Sequence, residues 1–146
     1  MTMQTTPLLL SRILGRGAQL DPEVEVVTLQ AGESHRQTLE QTWNRANQLA
    51  HALKKHGIEI GDRVASFMWN NHRHLELYQG VPSMGAVLHT LNIRLGPADL
   101  EYIINHANDR VIFADEDLLP LLEPVLDKIP CVELIVVCRH GEGGES

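Results

Sequence analysis

Positive charge is scarce in this sequence: 12 Lys and Arg stand against 19 Asp and Glu, for a net charge of −7. With no local basic stripe, a chain of this sign repels nucleic acid phosphates and anionic lipid, so neither is an expected partner. Long apolar runs are also lacking. The longest near the start is Leu8-Leu9-Leu10, far short of the ~20 residues of a membrane span or the roughly 7–15 of a secretory signal core. No membrane span is expected, and the location implied is the cytoplasm. Cysteine is limited to Cys131 and Cys138. Their spacing fits neither a C-x-x-C redox motif nor a usual zinc site, so reduced, structural thiols are expected. The few aromatics, among them Trp43, Phe67, Trp69 and Tyr78, fall at the spacing of core residues and receive no cofactor role.

What is present is material for a core. The chain has 146 residues, 43% of them hydrophobic, which suits one domain or one piece of a larger one. Leu10, Ile13, Leu14 and Ala18 share a helical face within 8–20, and Glu23 to Leu29 alternates like a strand before a turn over Gln30 to Ser34. Thr38 and Gln41 form a capping-box pattern, so a helix is expected from there to Lys55, with Gly57 just past its end. Arg63 to Trp69 reads as a strand buried on both faces. A helix from His72 to Met84, kinked by Pro82, is followed by a strand over Ala86 to Leu91. Pro97 opens a helix reaching Asn108, and Arg110 to Ala114 is a strand. Asp115, Glu116 and Asp117 precede a further helical pattern through Leu126, where their charge suits a helix N-terminus. Glu133 to Cys138 is the last strand, and the polar Arg139 to Ser146 is a loop or open end. Strands separated by helices predict an α/β fold with a mainly parallel sheet covered on both faces.

Among the eight histidines, His72-x-His74 is the tightest pair, but positions two apart on a helix point away from each other, and a solvated surface is expected for both. His89, in mid-strand beside Thr90, is expected to be a hydrogen-bonded core or tunnel-lining residue, with no carboxylate assignable as its partner. Asp115-Glu116-Asp117 is expected to cap a helix rather than hold a cation.

Three segments in order go beyond the fold. His35 to Leu53 (HRQTLEQTWNRANQLAHAL), Gly57 to Trp69 with its G-D-R-V-A core, and Leu75 to Tyr102 with a Gly-Ala turn, a strand and an N-x-R-L segment resemble adenylate-forming enzymes, and Asn105 to Asp115 (NHANDRVIFAD) continues the match. The phrases HRHLELY, MGAVLHTLN and INHANDRVIF are most similar to bacterial medium- and long-chain fatty-acid:CoA ligases.

The resemblance implies that residues 21–138 are the front part of the large, AMP-binding domain, that 1–20 are an N-terminal extension able to serve a homodimer contact, and that 139–146 are a loop or truncated end. It implies an acid–thiol ligase that uses ATP and Mg2+ to convert a fatty acid to acyl-AMP and then transfers the acyl group to CoA. Arg94 is the one residue it marks for ligand contact, at a CoA phosphate, a task suited to a permanently charged, two-pronged donor. Ile93 replaces the proline common in that segment, which bears on how Arg94 is held. Nothing here resembles the family's Gly/Ser/Thr-rich phosphate loop with its following Lys: Gly141 to Gly144 (GEGG) has neither the hydroxyls nor the lysine. The segment alone is therefore expected to be inactive, and no catalytic or metal residue is assigned. Two other readings are a non-catalytic interaction or dimerisation module and part of an aryl- or amino-acid-adenylating enzyme.

Overall fold

The computed structural model describes residues 9–29 and 34–139. The turn expected over Gln30 to Ser34 falls mostly on residues 30–33, and the terminal loop on 140–146; both lie outside the described residues.

The elements are α1 (Ser11–Leu20), β1 (Glu25–Leu29), β2 (Ser34–Thr38), α2 (Leu39–Lys55), β3 (Arg63–Phe67), α3 (His72–Ser83), β4 (Val87–Thr90), α4 (Pro97–Ala107), β5 (Asp109–Asp115), α5 (Leu119–Leu122) and β6 (Leu134–Cys138). Four of the six strands form one parallel sheet in the order β4-β3-β5-β6. This is the expected α/β architecture. β1 and β2 form a separate antiparallel hairpin, with Thr28 opposite His35 and Val26 opposite Gln37.

Local chemistry sets the boundaries. The Thr38 hydroxyl accepts from the Gln41 N–H at 3.1 Å while the Gln41 side chain accepts from the Thr38 N–H at 2.8 Å, so two orphan donors of α2 are satisfied at once. Gly57 then takes a φ of 81°, a left-handed value that a Cβ disfavours, and stops the helix. Pro82 stands in the last turn of α3, which runs on to Ser83. The helix expected over Leu118 to Leu126 is instead a 3-10 turn (Glu116–Leu118), the single turn of α5, and a second 3-10 segment (Glu123–Lys128). Pro120 and Pro124 explain the difference: each lacks an N–H and its ring crowds the carbonyl four residues back.

The core lies on both faces of the sheet. Leu53, Leu77 and Val81 from α2 and α3 pack on Val64, Val111 and Phe113; Leu100, Ile104, Leu122 and Val125 pack on Ala65, Phe67, Ile112 and Ala114. Each such side chain contributes about 1.5–3 kcal/mol on burial. β5, at the centre, is buried along nearly its whole length, while every residue of β6 keeps some exposure.

Candidate functional site

In an open parallel sheet the loops beyond the carboxyl ends of the strands gather on one edge, and a crevice opens where successive connections depart in opposite directions. Here that point lies between β3 and β5, because the chain leaves β3 for β4 on one side and returns over β3 to β5 on the other. The residues meeting there are Trp69 and Asn71 after β3, and Asp115 and Asp117 at the end of β5 and just beyond. The fully buried Asp115 accepts from the Trp69 backbone N–H at 2.8 Å and from the Asn71 side-chain amide at 3.2 Å. Asp117 accepts from the Trp69 indole at 2.9 Å. Asn71 also caps α3, its oxygen accepting from the His74 N–H at 2.9 Å.

Two expectations are corrected at this edge. Asp115 makes no capping bond to the helix that follows; it ties the β3 loop to β5, because its side chain turns inward at the strand end. Trp69 and Tyr78 are not core aromatics: they are 46% and 45% exposed. Phe67 is buried as expected, and Trp43 is partly buried, its ring packed closely over Gly15 of α1. The switch-point rule, applied to a Trp-Asn-Asn run after a strand and an Asp closing a later one, was the signal available for Asp115 and Asn71.

Beside the crevice a cleft of about 490 Å3 opens between β1 and the first turns of α3, lined by Val26, Leu29, Asn70, His72, Leu75 and Tyr78. His72 and His74 are buried, not solvated: the hairpin folds over His72, and His74 turns in against β3. They do point apart. His72 meets Thr28 and stacks on the His35 ring with centroids 3.7 Å apart, whereas His74 shares a 2.9 Å hydrogen bond with Ser66 of β3. Burial holds both rings below the ordinary imidazole value, and His72 falls to about 4, helped by His35, Arg73 and Arg45 nearby.

His89 has a carboxylate partner after all: its Nδ1 lies 2.8 Å from Asp109, which is fully buried at the start of β5. The bridge passes over β3, whose Ala65 pairs with His89 and is too small to obstruct it. Burial raises the Asp109 carboxyl above the ordinary range, and the His89 hydrogen bond and charge oppose this.

Arg94 lies on the same carboxyl edge, in the turn between β4 and α4. Its N–H donates to the Asn92 side chain at 3.0 Å, and the Leu95 N–H donates to the Asn92 carbonyl at 3.1 Å, so Asn92 shapes the turn. The Arg94 side chain is exposed and bonds no described residue. Cys131 and Cys138 are free thiols. Among the described residues no group of three or more His, Cys, Asp or Glu could hold a metal. No described helix is long and apolar enough to cross a membrane. Chemically, the edge supplies a braced wall and three arginines: Arg94, Arg139, and Arg73, which is bonded to the Arg139 carbonyl at 2.8 Å.

Comparison with known proteins identifies the scaffold. The family profile described as AMP-binding enzyme matches residues 15–145. The long-chain-fatty-acid–CoA ligase of Thermus thermophilus is 45% identical over 137 residues, covering 93% of this chain and 25% of that protein. The 3-methylmercaptopropionyl-CoA ligase of Ruegeria lacuscaerulensis is 38% identical over 136 residues, covering 92% and 25%. Among solved structures, the anthranilate CoA ligase AuaEII in complex with anthranoyl-AMP superposes with a TM-score of 0.80 at 27% identity, covering 93% of this chain and 27% of that one. The chain thus spans about a quarter of the length of these relatives. With the profile running from α1 through β6, the chain belongs to the AMP-binding enzyme family.

Proposed function

We propose that this chain is the front part of the large domain of a fatty-acid:CoA ligase located in the cytoplasm. In the reaction a carboxylate oxygen of the fatty acid attacks the α-phosphorus of ATP and pyrophosphate departs; the CoA sulfur then attacks the acyl carbonyl, AMP leaves, and the thiol proton passes to solvent. The observation that carries the reading is the 45% identity to a long-chain-fatty-acid–CoA ligase across 93% of the chain. ATP and Mg2+ are held by residues other than those described here. Residues 21–138 supply a wall of the large domain. Arg94 of this wall contacts a phosphate of CoA, consistent with an exposed guanidinium that no described residue engages. Residues 1–20 are an extension serving a homodimer contact, which suits the exposure of Leu10, Ile13 and Leu20 on and beside α1.

The test is a pair of half-reaction rates on the complete protein that carries this segment. Pyrophosphate release should depend on a fatty acid and rise with an acyl chain of preferred length; release with aryl or amino acids and not with fatty acids would replace the substrate class, and no release with any acid would favour a non-catalytic module. Arg94→Ala should leave acyl-AMP formation nearly unchanged and slow thioester formation roughly ten- to a hundredfold, as the loss of a charge-assisted contact of about 1.5–3 kcal/mol would. Equal losses in both rates would remove Arg94 from the CoA site.

A further inference from the structure

The β1–β2 hairpin shares no ladder with the main sheet. An isolated two-stranded hairpin is marginal in water, so its attachment decides whether it stays folded. That attachment is unusual in kind. Thr28 and Gln37 are its only buried residues among those described, while Val27 and Leu29 face outward. The hairpin is therefore held by polar side chains rather than by an apolar face.

Three hairpin residues, Thr28, His35 and Gln37, make the joint. Thr28 Oγ1 accepts the His72 N–H at the start of α3 at 2.8 Å and lies 3.3 Å from His72 Nδ1. The hydroxyl proton is then free to go to Nδ1, which assigns neutral His72 its proton on Nε2 from the bond network. His35, opposite Thr28 in the hairpin, stacks on the His72 ring at 3.7 Å with an interplanar angle of 20°. His35 Nε2 also donates to Gln37, 3.1 Å away, and the Gln37 amide reaches Thr42 of α2 at 2.9 Å and Glu76 of α3 at 3.2 Å.

We propose that the stacked His35–His72 pair is an acid-operated latch that releases the hairpin from the N-terminus of α3. A proton on His72 Nδ1 removes the acceptor of the Thr28 hydroxyl and sets a cation at the positive end of α3. The groups around the ring add to this. His35 of β2, Arg45 of α2 and Arg73 of α3 all oppose a positive charge there, and the nearby carboxylate of Glu76 is already bonded by Arg45 at 2.6 Å. The His72 ring accordingly titrates near 4 in place of its ordinary 6.5, so the released ring binds a proton roughly 300-fold more tightly than the latched one. A lowered value stabilises the neutral, closed form. The latch is at full strength above pH 6.5 and weakens as pH falls from 6.5 toward 4. Opening takes the β1 wall away from the cleft beside α3 while leaving the parallel sheet intact, a local transition of the kind native-state exchange detects.

The test is amide exchange of the intact protein between pH 7 and 4.5, corrected for the intrinsic pH dependence of exchange. Protection of residues 25–29 and 34–38 should fall by roughly 100-fold relative to residues 63–67 and 109–115. In His72→Gln that acid-dependent loss should disappear, and in His35→Phe, which keeps a stacked ring without its nitrogens, it should shrink. Hairpin and sheet losing protection in step, or an unchanged loss in His72→Gln, would overturn the latch. If His72→Gln does not fold, NMR titration of the wild-type ring decides: a midpoint near 4 tracked by the hairpin amides supports the latch, and a midpoint near 6.5 with the hairpin unmoved overturns it.

Discussion

At the scale of single residues, the informative feature is a carboxylate with no exposure. Asp109 offers one oxygen to His89 and has no partner for the other among the described residues. Burial favours its protonated form, so its contribution to stability is greatest below the ordinary value of 3.8 and declines as pH rises through its raised folded-state value. Where the group is ionised, its buried charge is a cost that His89 offsets. His89→Ala should therefore lower stability by about 3–5 kcal/mol by leaving the charge buried and unpaired, whereas Asp109→Asn, which keeps an acceptor for Nδ1 and removes the charge, should cost little or stabilise. Urea unfolding of both variants distinguishes this asymmetry from the equal losses expected if the pair were worth only its hydrogen bond.

At the scale of elements, α2 and α3 meet where α3 has no side chain. A Cβ on Gly80 would stand 2.7 Å from the Ala46 carbonyl oxygen, a backbone atom that cannot swing aside. Helix propensity favours alanine there by about 1 kcal/mol, but overpacking costs about 1–3 kcal/mol, and here the obstacle is backbone. Gly80→Ala should thus lower the melting temperature; an unchanged or higher value would mean that α3 slides freely on α2. This approach was not legible in the sequence, which marks Gly80 only as a weak helix former. The capping box of Thr38 and Gln41 was legible, because both partners lie three residues apart and act within one turn. So was each parallel strand, as a short apolar run between helical patterns. β2 was not: Ser34 to Thr38 carries no apolar alternation, and pairing with β1 makes it a strand. Thr28 facing inward while Val27 and Leu29 face out reverses the pattern from which burial is read. The contacts of the site were hidden for the same reason, since Trp69 with Asp115 and His89 with Asp109 join residues far apart in sequence. Arg94 came from family resemblance, and its exposure leaves that role open to the rate measurements above.

At the scale of the whole molecule, exposed apolar surface is concentrated away from the two cores. Ile13 and Leu20 on α1, Leu29 on the hairpin, Trp69 at the carboxyl edge and Val137 on β6 are all substantially exposed, and β6 and β4 are the open edges of the sheet. The 146-residue segment by itself should bind a hydrophobic dye, associate as concentration rises, and release no pyrophosphate from ATP with any fatty acid. A monodisperse monomer with a cooperative melt and no dye signal, or turnover above a boiled control, would count against that. The strand order also bears on how the molecule is made. During synthesis β3 emerges first, β4 settles on one side of it, and β5 and then β6 add in turn on the other. Each strand leaving the ribosome finds its neighbour already waiting at a free edge, and none has to wedge between two that have paired. The sheet can grow at the pace of translation, each new strand pairing at an edge that is still open.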